Sequence, residues 1–338
     1  MTEKEVDYHR LVAVVVTHNR LAQLKITVER LLESPPQCLH AVVIIDNHSG
    51  DGTADWLALQ DDPRLVVHSS DINRGGAGGF EAGMRLARER FDPDWMVVMD
   101  DDARPYSNAL SDFQTHGGGA GDAVAAAVYL PDGNICEMNR PSRNPFWHGR
   151  EFLQTMLLGR KGFHLGPDQY HGQNVVDVDV TSFVGFFISR RGLDLAGYPD
   201  ASLFLYADDG LYTLRLRKAG GKIGFVPSVR FEHDCSTFNR AQRGRFRPLW
   251  KAYYYHRNLL ILYRAAAGPM FWPILPIIIL KWFYKVLDHR GERAKFCALM
   301  VRSIRDGLFS HTDVSHDQIV RLAGDVSRAK HSRSDVNY

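Results

Sequence analysis

Residues 95–105 read Trp95-Met96-Val97-Val98-Met99-Asp100-Asp101-Asp102-Ala103-Arg104-Pro105. An apolar run of strand length ends abruptly on three consecutive carboxylates, and an Arg-Pro turn follows. In an open α/β sheet, ligands bind outside the carboxyl ends of the strands, which is where such a cluster would lie. A hard ion such as Mg²⁺ is usually held by one or two carboxylates together with substrate phosphate oxygens. Strand side chains alternate, so Asp100 and Asp102 are expected to share a cation while Asp101 points elsewhere; a solvated acidic turn is the alternative.

The sequence on the N-terminal side of this stretch alternates between strand and helix patterns. Predicted strands at 11–17, 41–45 and 65–68 alternate with helices at 21–32, at 54–59 and, after a glycine-rich segment, up to residue 88. Continuous Val/Ile-rich runs are typical of strands buried on both faces. The alternation predicts an α/β fold with a mostly parallel, Rossmann-like sheet and helices on both faces. Thr17, Asp46 and Asp100 would then end three strands on one edge, which indicates a ligand site.

The glycine-rich segment reads Asn73-Arg74-Gly75-Gly76-Ala77-Gly78-Gly79-Phe80. It is not a dinucleotide-binding fingerprint. The pattern G-x-G-x-x-G starting at Gly76 would need a glycine at position 81, which is Glu81, and the loop follows the third predicted strand instead of the first. Backbone N–H groups of such a loop can still bind a phosphate or sugar where it opens a helix. The alternative is a tight connection that packs close to the sheet. The predicted ligand contacts in this loop are Asn73, Gly75, Gly76, Gly78 and Gly79.

Two further polar motifs lie in the second half of the chain. Asp208 and Asp209 open a predicted helix, a position that the helix dipole favours for acids whatever their function. His233 follows a predicted strand and lies between Glu232 and Asp234. A lone histidine is more often structural, but these neighbours make it a candidate ligand.

Residues 131–173, rich in Arg, His, Asn, Pro and Gly, are predicted to form a long irregular insertion.

Composition restricts the class of protein. Hydrophobic residues make up 45% and charged residues 24% of 338 residues, as in ordinary soluble globular proteins, and a net charge of +2 gives no case for a nucleic-acid partner. The four cysteines have no paired spacing, which argues against a disulfide framework or a zinc site and suits a reducing compartment. The first seven residues lack the apolar core of a signal peptide, so a cytoplasmic location is expected.

The C-terminal third is basic and aromatic. Residues 238–305 contain fourteen Lys or Arg against two acids, and residues 265–280 carry no charge. Three prolines and a length below the roughly 20 residues of a spanning helix argue against a membrane crossing. Aromatic and basic residues around 281–295 favour a segment that lies on an anionic membrane surface. A core helix hairpin or a dimer interface is the alternative.

Taken in order, the motifs resemble those of inverting family 2 glycosyltransferases with the GT-A fold. The matching segments are Val14-Val15-Val16-Thr17-His18-Asn19-Arg20, Asp46-Asn47-x-Ser49-x-Asp51-Gly52-Thr53, Asp100-x-Asp102, Asp208-Asp209 and His233. The glycine-rich loop and residues 99–105 look most like bacterial galactofuranosyltransferases, with rhamnosyltransferases next. The resemblance covers residues 10–260.

The resemblance implies a role for each motif. Asp46 would bind the uracil ring or its sugar, with Thr17, Arg20 and Asp101 in the same donor site. One Mg²⁺ or Mn²⁺ ion would be held by Asp100, Asp102 and His233. Asp209 would be the catalytic base and Asp208 would orient the acceptor, although Ala-Asp-Asp here replaces the more frequent Glu-Asp, which leaves the choice between the two open.

The implied activity is metal-dependent transfer of galactofuranose from UDP-galactofuranose to a hydroxyl of a glycan on a polyprenyl-diphosphate lipid, in cell-surface polysaccharide synthesis. The expected domains are a GT-A domain at 1–237, with 131–173 on the acceptor side, and a helical region at 238–338 peripheral to the inner face of the cell membrane. The alternatives are a dTDP-rhamnose-dependent transferase, a nucleotidyltransferase, which would need a basic loop after the first strand, and a non-catalytic membrane scaffold. Homo-oligomerisation is left open.

Overall fold

The computed structural model describes residues 8–235 and 245–324. They form two compact units: unit 1 comprises 8–204 with 208–235, and unit 2 comprises 205–207 with 245–324. The expected boundary between 237 and 238 lies outside the described residues, as do the N-terminal segment 1–7, most of the basic loop and the end of the polar tail.

Unit 1 contains a nine-stranded mixed sheet in which parallel pairs predominate on the N-terminal side. The strands are β1 (Leu11–Thr17), β2 (Ala41–Asp46), β3 (Leu65–Ser69), β4 (Trp95–Asp100), β5 (Ala103–Pro105), β6 (Ala123–Tyr129), β7 (Val176–Val178), β8 (Phe186–Ser189) and β9 (Ile223–His233). Their order is β3-β2-β1-β4-β8-β6-β9-β5, and β7 also pairs with β9. Strands β1 to β4 are mutually parallel, β8 is antiparallel to its neighbours, and β6 and β9 are again parallel. The predicted α/β class and mostly parallel sheet are confirmed.

Both faces of this sheet are covered by helices. The helices of unit 1 are α1 (Leu21–Leu32), α2 (Thr53–Ala58), α3 (Gly75–Phe91), α4 (Ala109–Asp112), α5 (Gly149–Leu158), α6 (Pro167–His171), α7 (Arg190–Ala196) and α8 (Asp208–Lys218). Alternate residues of β1 enter different core clusters: Val15 packs with α1, and Val14 packs with α3. This two-sided burial explains why the strand is a continuous apolar run.

The register of the parallel strands brings the polar loops together. Thr17 pairs with Asp46 across β1 and β2, and Val16 pairs with Asp100 across β1 and β4. The carboxyl ends of three adjacent strands therefore lie side by side. The expectation that the polar loops following them share one edge is confirmed.

The insertion at 131–173 is more regular than the sequence indicated, because it contains α5 and α6. Helix α5 buries none of its residues, and it exposes Leu153, Met156, Leu157 and Leu158. A helix whose apolar side chains point to solvent lacks the core contacts that usually accompany such a pattern. This segment was predicted as irregular because Arg, His, Asn, Pro and Gly dominate its composition.

Helix α3 starts at Gly75, and its glycines allow the helix to lie close to the sheet. A Cβ at Gly79 would lie 2.4 Å from Cγ1 of Val16, and one at Gly83 would lie 2.4 Å from Cγ1 of Val14. A Cβ at Gly76 would meet no heavy atom within 4 Å. Close packing therefore accounts for Gly79.

We expect Gly79→Ala to lower the free energy of unfolding by about 1–3 kcal/mol, because Val16 is a stiff β-branched residue in a full core. Urea denaturation measures the change. Gly76→Ala is the matched control, since the same methyl group enters open space at the start of the same helix. Equal stability of the two variants would contradict the packing role.

The described residues of unit 2 contain four α-helices: α9 (Lys251–Ala267), α10 (Phe271–Tyr284), α11 (Arg293–Leu308) and α12 (His316–Ala323). Helices α9 and α11 are joined by the buried Asp306, which accepts hydrogen bonds from Tyr253 (2.8 Å) and Arg302 (2.6 Å). The amide nitrogen of Asn258 donates to the carbonyl oxygens of Leu205 (2.8 Å) and Tyr206 (3.0 Å). Only Phe271 and Trp282 are buried in α10.

Candidate active site

The loops that follow β1 and β2 are joined by hydrogen bonds. The backbone N–H of Asn19 donates to Oγ of Ser49 (2.9 Å), and the N–H of Gly50 donates to Oδ1 of Asn19 (2.7 Å). The N–H of Leu21 donates to the carboxylate of Asp51 (3.0 Å). Asp46 is buried beside these contacts, where its Oδ1 accepts the N–H of Ser49 (3.0 Å). The first two loops therefore form one hydrogen-bonded wall next to Asp46.

The middle carboxylate of the acidic run faces the protein. Asp101 is 2% exposed, and its carboxylate accepts hydrogen bonds from Oγ1 of Thr17 (2.8 Å) and Nη1 of Arg20 (3.3 Å). Nη1 of Arg20 also lies 2.6 Å from Asp102. Thr27 fixes the backbone by donating to the carbonyl oxygen of Asp101 (2.7 Å). Asp101 thus positions Thr17 and Arg20, and donor contacts by these three residues stay predictions.

Asp100, Asp102 and His233 meet at the edge of the sheet. One ligand atom from each lies within 4.8 Å of the others, and Nε2 of His233 is 3.2 Å from Oδ1 of Asp102. Strand β9 brings the histidine there by pairing with β5, where His233 lies opposite Ala103. Two carboxylates and an imidazole make a donor set that suits Mg²⁺ or Mn²⁺. The residues present therefore fit a divalent metal site.

Electrostatics in this cluster fit a cation-binding role. Burial, followed by repulsion from Asp102, raises the pKa of Asp100 to about 7. Burial also acts to raise the pKa of Asp102, but the hydrogen bond and charge of His233, with Arg20, outweigh it and the pKa is lowered. Burial would lower the pKa of His233, yet its hydrogen bond to Asp102 raises that pKa to about 10. A metal ion bound by this cluster would therefore compete with protons for Asp100 and His233.

A buried amide fixes the histidine ring. Nδ1 of His233 lies 2.7 Å from Oδ1 of Asn139, and the amide nitrogen of Asn139 donates to Oγ of Ser182 (2.8 Å). Because the amide nitrogen is engaged with Ser182, the amide oxygen faces the ring and accepts its Nδ1–H. Nε2 is then directed at the carboxylates. Such a second-layer contact sets both the orientation and the tautomer of a metal-binding histidine.

The start of helix α3 is held by a pair of asparagines. The amide nitrogen of Asn47 donates to Oδ1 of Asn73 (3.1 Å), and that oxygen accepts the N–H of Gly75 (2.7 Å). Gly75 has φ +70°, and a Cβ there would lie 2.0 Å from the carbonyl oxygen of Phe204. A Cβ at Gly78 would lie 2.5 Å from the side chain of Arg74. Packing thus explains Gly75, Gly78 and Gly79, and among the predicted ligand glycines Gly76 alone lies in open space.

The acidic pair begins helix α8, and both carboxylates are half-buried. Burial and the charge of Asp209 raise the pKa of Asp208 to about 8, with a further contribution from Asp100. Burial raises the pKa of Asp209 to about 6, although its hydrogen bond from the N–H of Gly210 opposes the shift. Phe204, Tyr206 and Ala207, just before the pair, have positive φ of 66°, 71° and 60°. Raised pKa values and backbone strain are both typical of catalytic positions.

A family model matches the part of the chain that contains several of these residues. The family model described as Glycosyl transferase family 2 matches residues 12–182, slightly more than half of the chain. The chain belongs to glycosyl transferase family 2. The matched range contains Asp46 and the acidic run. The acidic pair and His233 of this family 2 glycosyltransferase lie beyond its end.

Individual related proteins have low sequence identity to this chain. Galactofuranosyltransferase GlfT1 of Mycobacterium tuberculosis is 25% identical over 230 residues, covering 67% of this chain and 70% of the relative. An undecaprenyl-phosphate mannosyltransferase of Micrococcus luteus is 27% identical over 227 residues, covering 67% and 85%. The solved mannosyltransferase PcManGT from Pyrobaculum calidifontis, in complex with GDP-Man and Mn²⁺, has a TM-score of 0.50 at 16% identity and covers 95% of this chain and 80% of that one. GalNAc-T7 with UDP, GalNAc and Mn²⁺ has a TM-score of 0.50 at 14% identity, with 76% and 52% covered. The structural likeness establishes the GT-A fold of the family 2 transferase.

The site of this family 2 transferase includes residues to which sequence analysis assigned no role. Asn47 directly follows Asp46, so its place in a polar loop was a usable signal for a positioning residue. Asn139 lies in the insertion, 94 residues from the histidine that it contacts, and no local pattern marks it. Long-range contacts of this kind become visible only once the strands are paired.

Proposed function

We propose that this protein is an inverting, divalent-metal-dependent transferase that moves galactofuranose from UDP-galactofuranose to a glycan hydroxyl. The observation that carries the proposal is the convergence of Asp100, Asp102 and His233 at the sheet edge that also presents Asp46. The similarity to GlfT1, with the glycine-rich loop and residues 99–105, supports galactofuranose as the sugar. Mn²⁺ in two solved structures of the same fold supports the metal.

In the proposed reaction, Asp46 binds the uridine, and Asp100, Asp102 and His233 would hold a divalent ion beside it. When bound, that ion would supply positive charge where the departing nucleoside diphosphate becomes more negative. Asp209 accepts the proton of the acceptor hydroxyl as its oxygen attacks the anomeric carbon. Attack from the face opposite the breaking carbon–oxygen bond inverts the anomeric centre in one displacement. Asp208 orients the acceptor.

Calorimetric titration of the purified protein with UDP, dTDP and GDP, each with and without Mn²⁺, tests the donor. We expect UDP to bind at least about tenfold more tightly in the presence of Mn²⁺, with the other nucleotides weaker. A preference for dTDP would move the proposal to rhamnosyl transfer by the same residues. A preference for GDP would favour mannose, which the mannosyltransferase relative makes a specific alternative. Failure of all three to bind would contradict the roles of Asp46 and the acidic run together.

We further propose that the acceptor is linked to a polyprenyl lipid and that unit 2 docks on the cytoplasmic face of the membrane. Helix α10 supports this proposal because it exposes Trp272 (57%), Ile277 (66%), Leu280 (63%) and Tyr284 (73%). Residues Lys251–Asp288 are long and apolar enough to cross a membrane by length and composition, which by itself is weak support. Buried polar residues in α9, including Arg257 and Asn258, favour docking over crossing.

Replacement of Ile277 and Leu280 by Glu is expected to reduce the vesicle-bound fraction at least about tenfold. Each apolar side chain contributes about 1.5–3 kcal/mol when it leaves water, and the added charges are repelled by anionic lipid. Flotation with phosphatidylglycerol-containing vesicles measures the loss. Val301→Glu, on the exposed face of α11, is the control. Unchanged flotation together with dissociation of a dimer would instead support the dimer-interface alternative.

A further inference from the structure

Two cysteines that are distant in the sequence lie close to each other and to Nδ1 of His233. Sγ of Cys136 lies 4.0 Å from Sγ of Cys235 and 3.9 Å from Nδ1 of His233. Sγ of Cys235 lies 3.4 Å from the same nitrogen. The sequence argued against a zinc site because the cysteines lack paired spacing. The paired strands nevertheless bring these residues together, because β9 ends at His233 and Cys235 follows two residues later, beside the loop that holds Cys136 after β6.

The triangle formed by these three atoms has the dimensions of one face of a zinc tetrahedron. Zn–S bonds of about 2.3 Å and Zn–N bonds of about 2.0–2.1 Å place two sulfur ligands roughly 3.8 Å apart, and each sulfur roughly 3.6 Å from the nitrogen. The observed distances of 4.0, 3.9 and 3.4 Å agree with these values to within a few tenths of an ångström. A disulfide would need the sulfurs about 2.05 Å apart, so the two thiols are free.

The surroundings of the three atoms also suit a metal ion. Cys136 and His233 are buried, whereas Cys235 is partly exposed and gives access from solvent. Oδ1 of Asn139 lies 2.9 Å from Sγ of Cys136 and 2.7 Å from Nδ1, where it accepts hydrogen bonds that a bound ion would replace, so this amide must shift when the ion binds. Two sulfurs and an imidazole nitrogen select zinc-class ions over Mg²⁺, which prefers oxygen.

We propose that Cys136, Cys235 and Nδ1 of His233 form a second metal site, specific for a zinc-class ion. On binding, both thiols and Nδ1 of His233 release their protons to solvent. The other ring nitrogen, Nε2, lies 3.2 Å from Oδ1 of Asp102, so the sulfur site and the carboxylate site share one imidazole.

Cobalt provides the direct test, because thiolate ligands give Co²⁺ an intense near-ultraviolet charge-transfer absorption that carboxylates do not. The reduced, metal-free full chain is titrated with Co²⁺ in the presence of a phosphine reductant. We expect the absorption to saturate at one ion per chain and to disappear when Zn²⁺ is added. Cys136→Ser and Cys235→Ser should each abolish it or weaken Co²⁺ binding at least about tenfold. Cys297→Ser, in α11, should leave it unchanged.

The Asp102→Asn variant separates this site from the proposed transferase site. Its cobalt–thiolate absorption should persist even if donor binding is lost, so failure of either proposal can be recognised on its own. Circular dichroism shows whether each variant is folded, and the partly exposed Cys235 is the substitution least able to disturb the core. No thiolate absorption in the wild-type chain, or equal absorption in folded Cys235→Ser, would overturn the proposal.

Discussion

Asp102→Asn is expected to lower kcat/KM by about 10³-fold. The change removes one of two carboxylates from the metal cluster and also the partner of Nε2 of His233 at 3.2 Å. Loss of a metal's charge stabilisation is worth several kcal/mol, and each 1.36 kcal/mol is a factor of ten in rate. The shape of the side chain is retained, and Arg20 keeps its contact with Asp101.

Turnover of the donor identified by titration measures this effect, together with the dependence of nucleotide binding on Mn²⁺. Asp61→Asn, an exposed carboxylate outside the site, is the matched control for the loss of one charge. A melting temperature close to that of the wild type establishes that the variant is folded. Full metal-dependent turnover of a folded Asp102→Asn would show that the metal lies elsewhere.

Asp209→Asn is expected to lower kcat by about 10²–10⁴-fold with little change in donor affinity, which is the range for loss of a general base. Asp208→Asn is the matched comparison, since it removes a neighbouring charge from the same helix start and is expected to act mainly on the KM of the acceptor. If Asp208→Asn abolishes turnover and Asp209→Asn retains it, the two roles are exchanged.

The pH profile gives a second readout of the same pair. Raised pKa values mean that the carboxylates hold protons at low pH, so kcat/KM should rise with pH between about 6 and 8. The two values belong to an interacting pair, so the limb reports both carboxylates. Asp208→Asn should retain an ascending limb, whereas the residual activity of Asp209→Asn should lose it. A limb unchanged in both variants would contradict base catalysis by either residue.

The arrangement of Thr17, Asp46 and Asp100 could be predicted because it depends only on local patterns. Continuous apolar runs define the strands, parallel pairing aligns their carboxyl ends, and the polar residues directly after each run therefore lie at one edge. The same reasoning predicted the approximate bounds of β1 to β4 and of α1.

The other contacts of the site could not be predicted, because they join residues that are far apart in the sequence and no local pattern marks them. Asn139 meets His233 across 94 residues, and Cys136 meets Cys235 across 99. The glycines of α3 were ambiguous because a backbone that approaches phosphate and one that approaches a strand both require a missing Cβ. For Gly79, the position of Val16 shows that the close approach is to a strand.

Strand β9 is the last strand of the sheet in chain order, and this has a consequence for the synthesis of the domain. Thr17 and Arg20 are synthesised before the acidic run, so the charges of Asp101 and Asp102 can be compensated as soon as β1 and β4 pair. His233 arrives later, on a strand that needs β6 in place. The proposed cation site is thus completed only when this last strand of the sheet is in place. Divalent ions would then protect finished domains against unfolding and degradation, and leave partial chains to be removed.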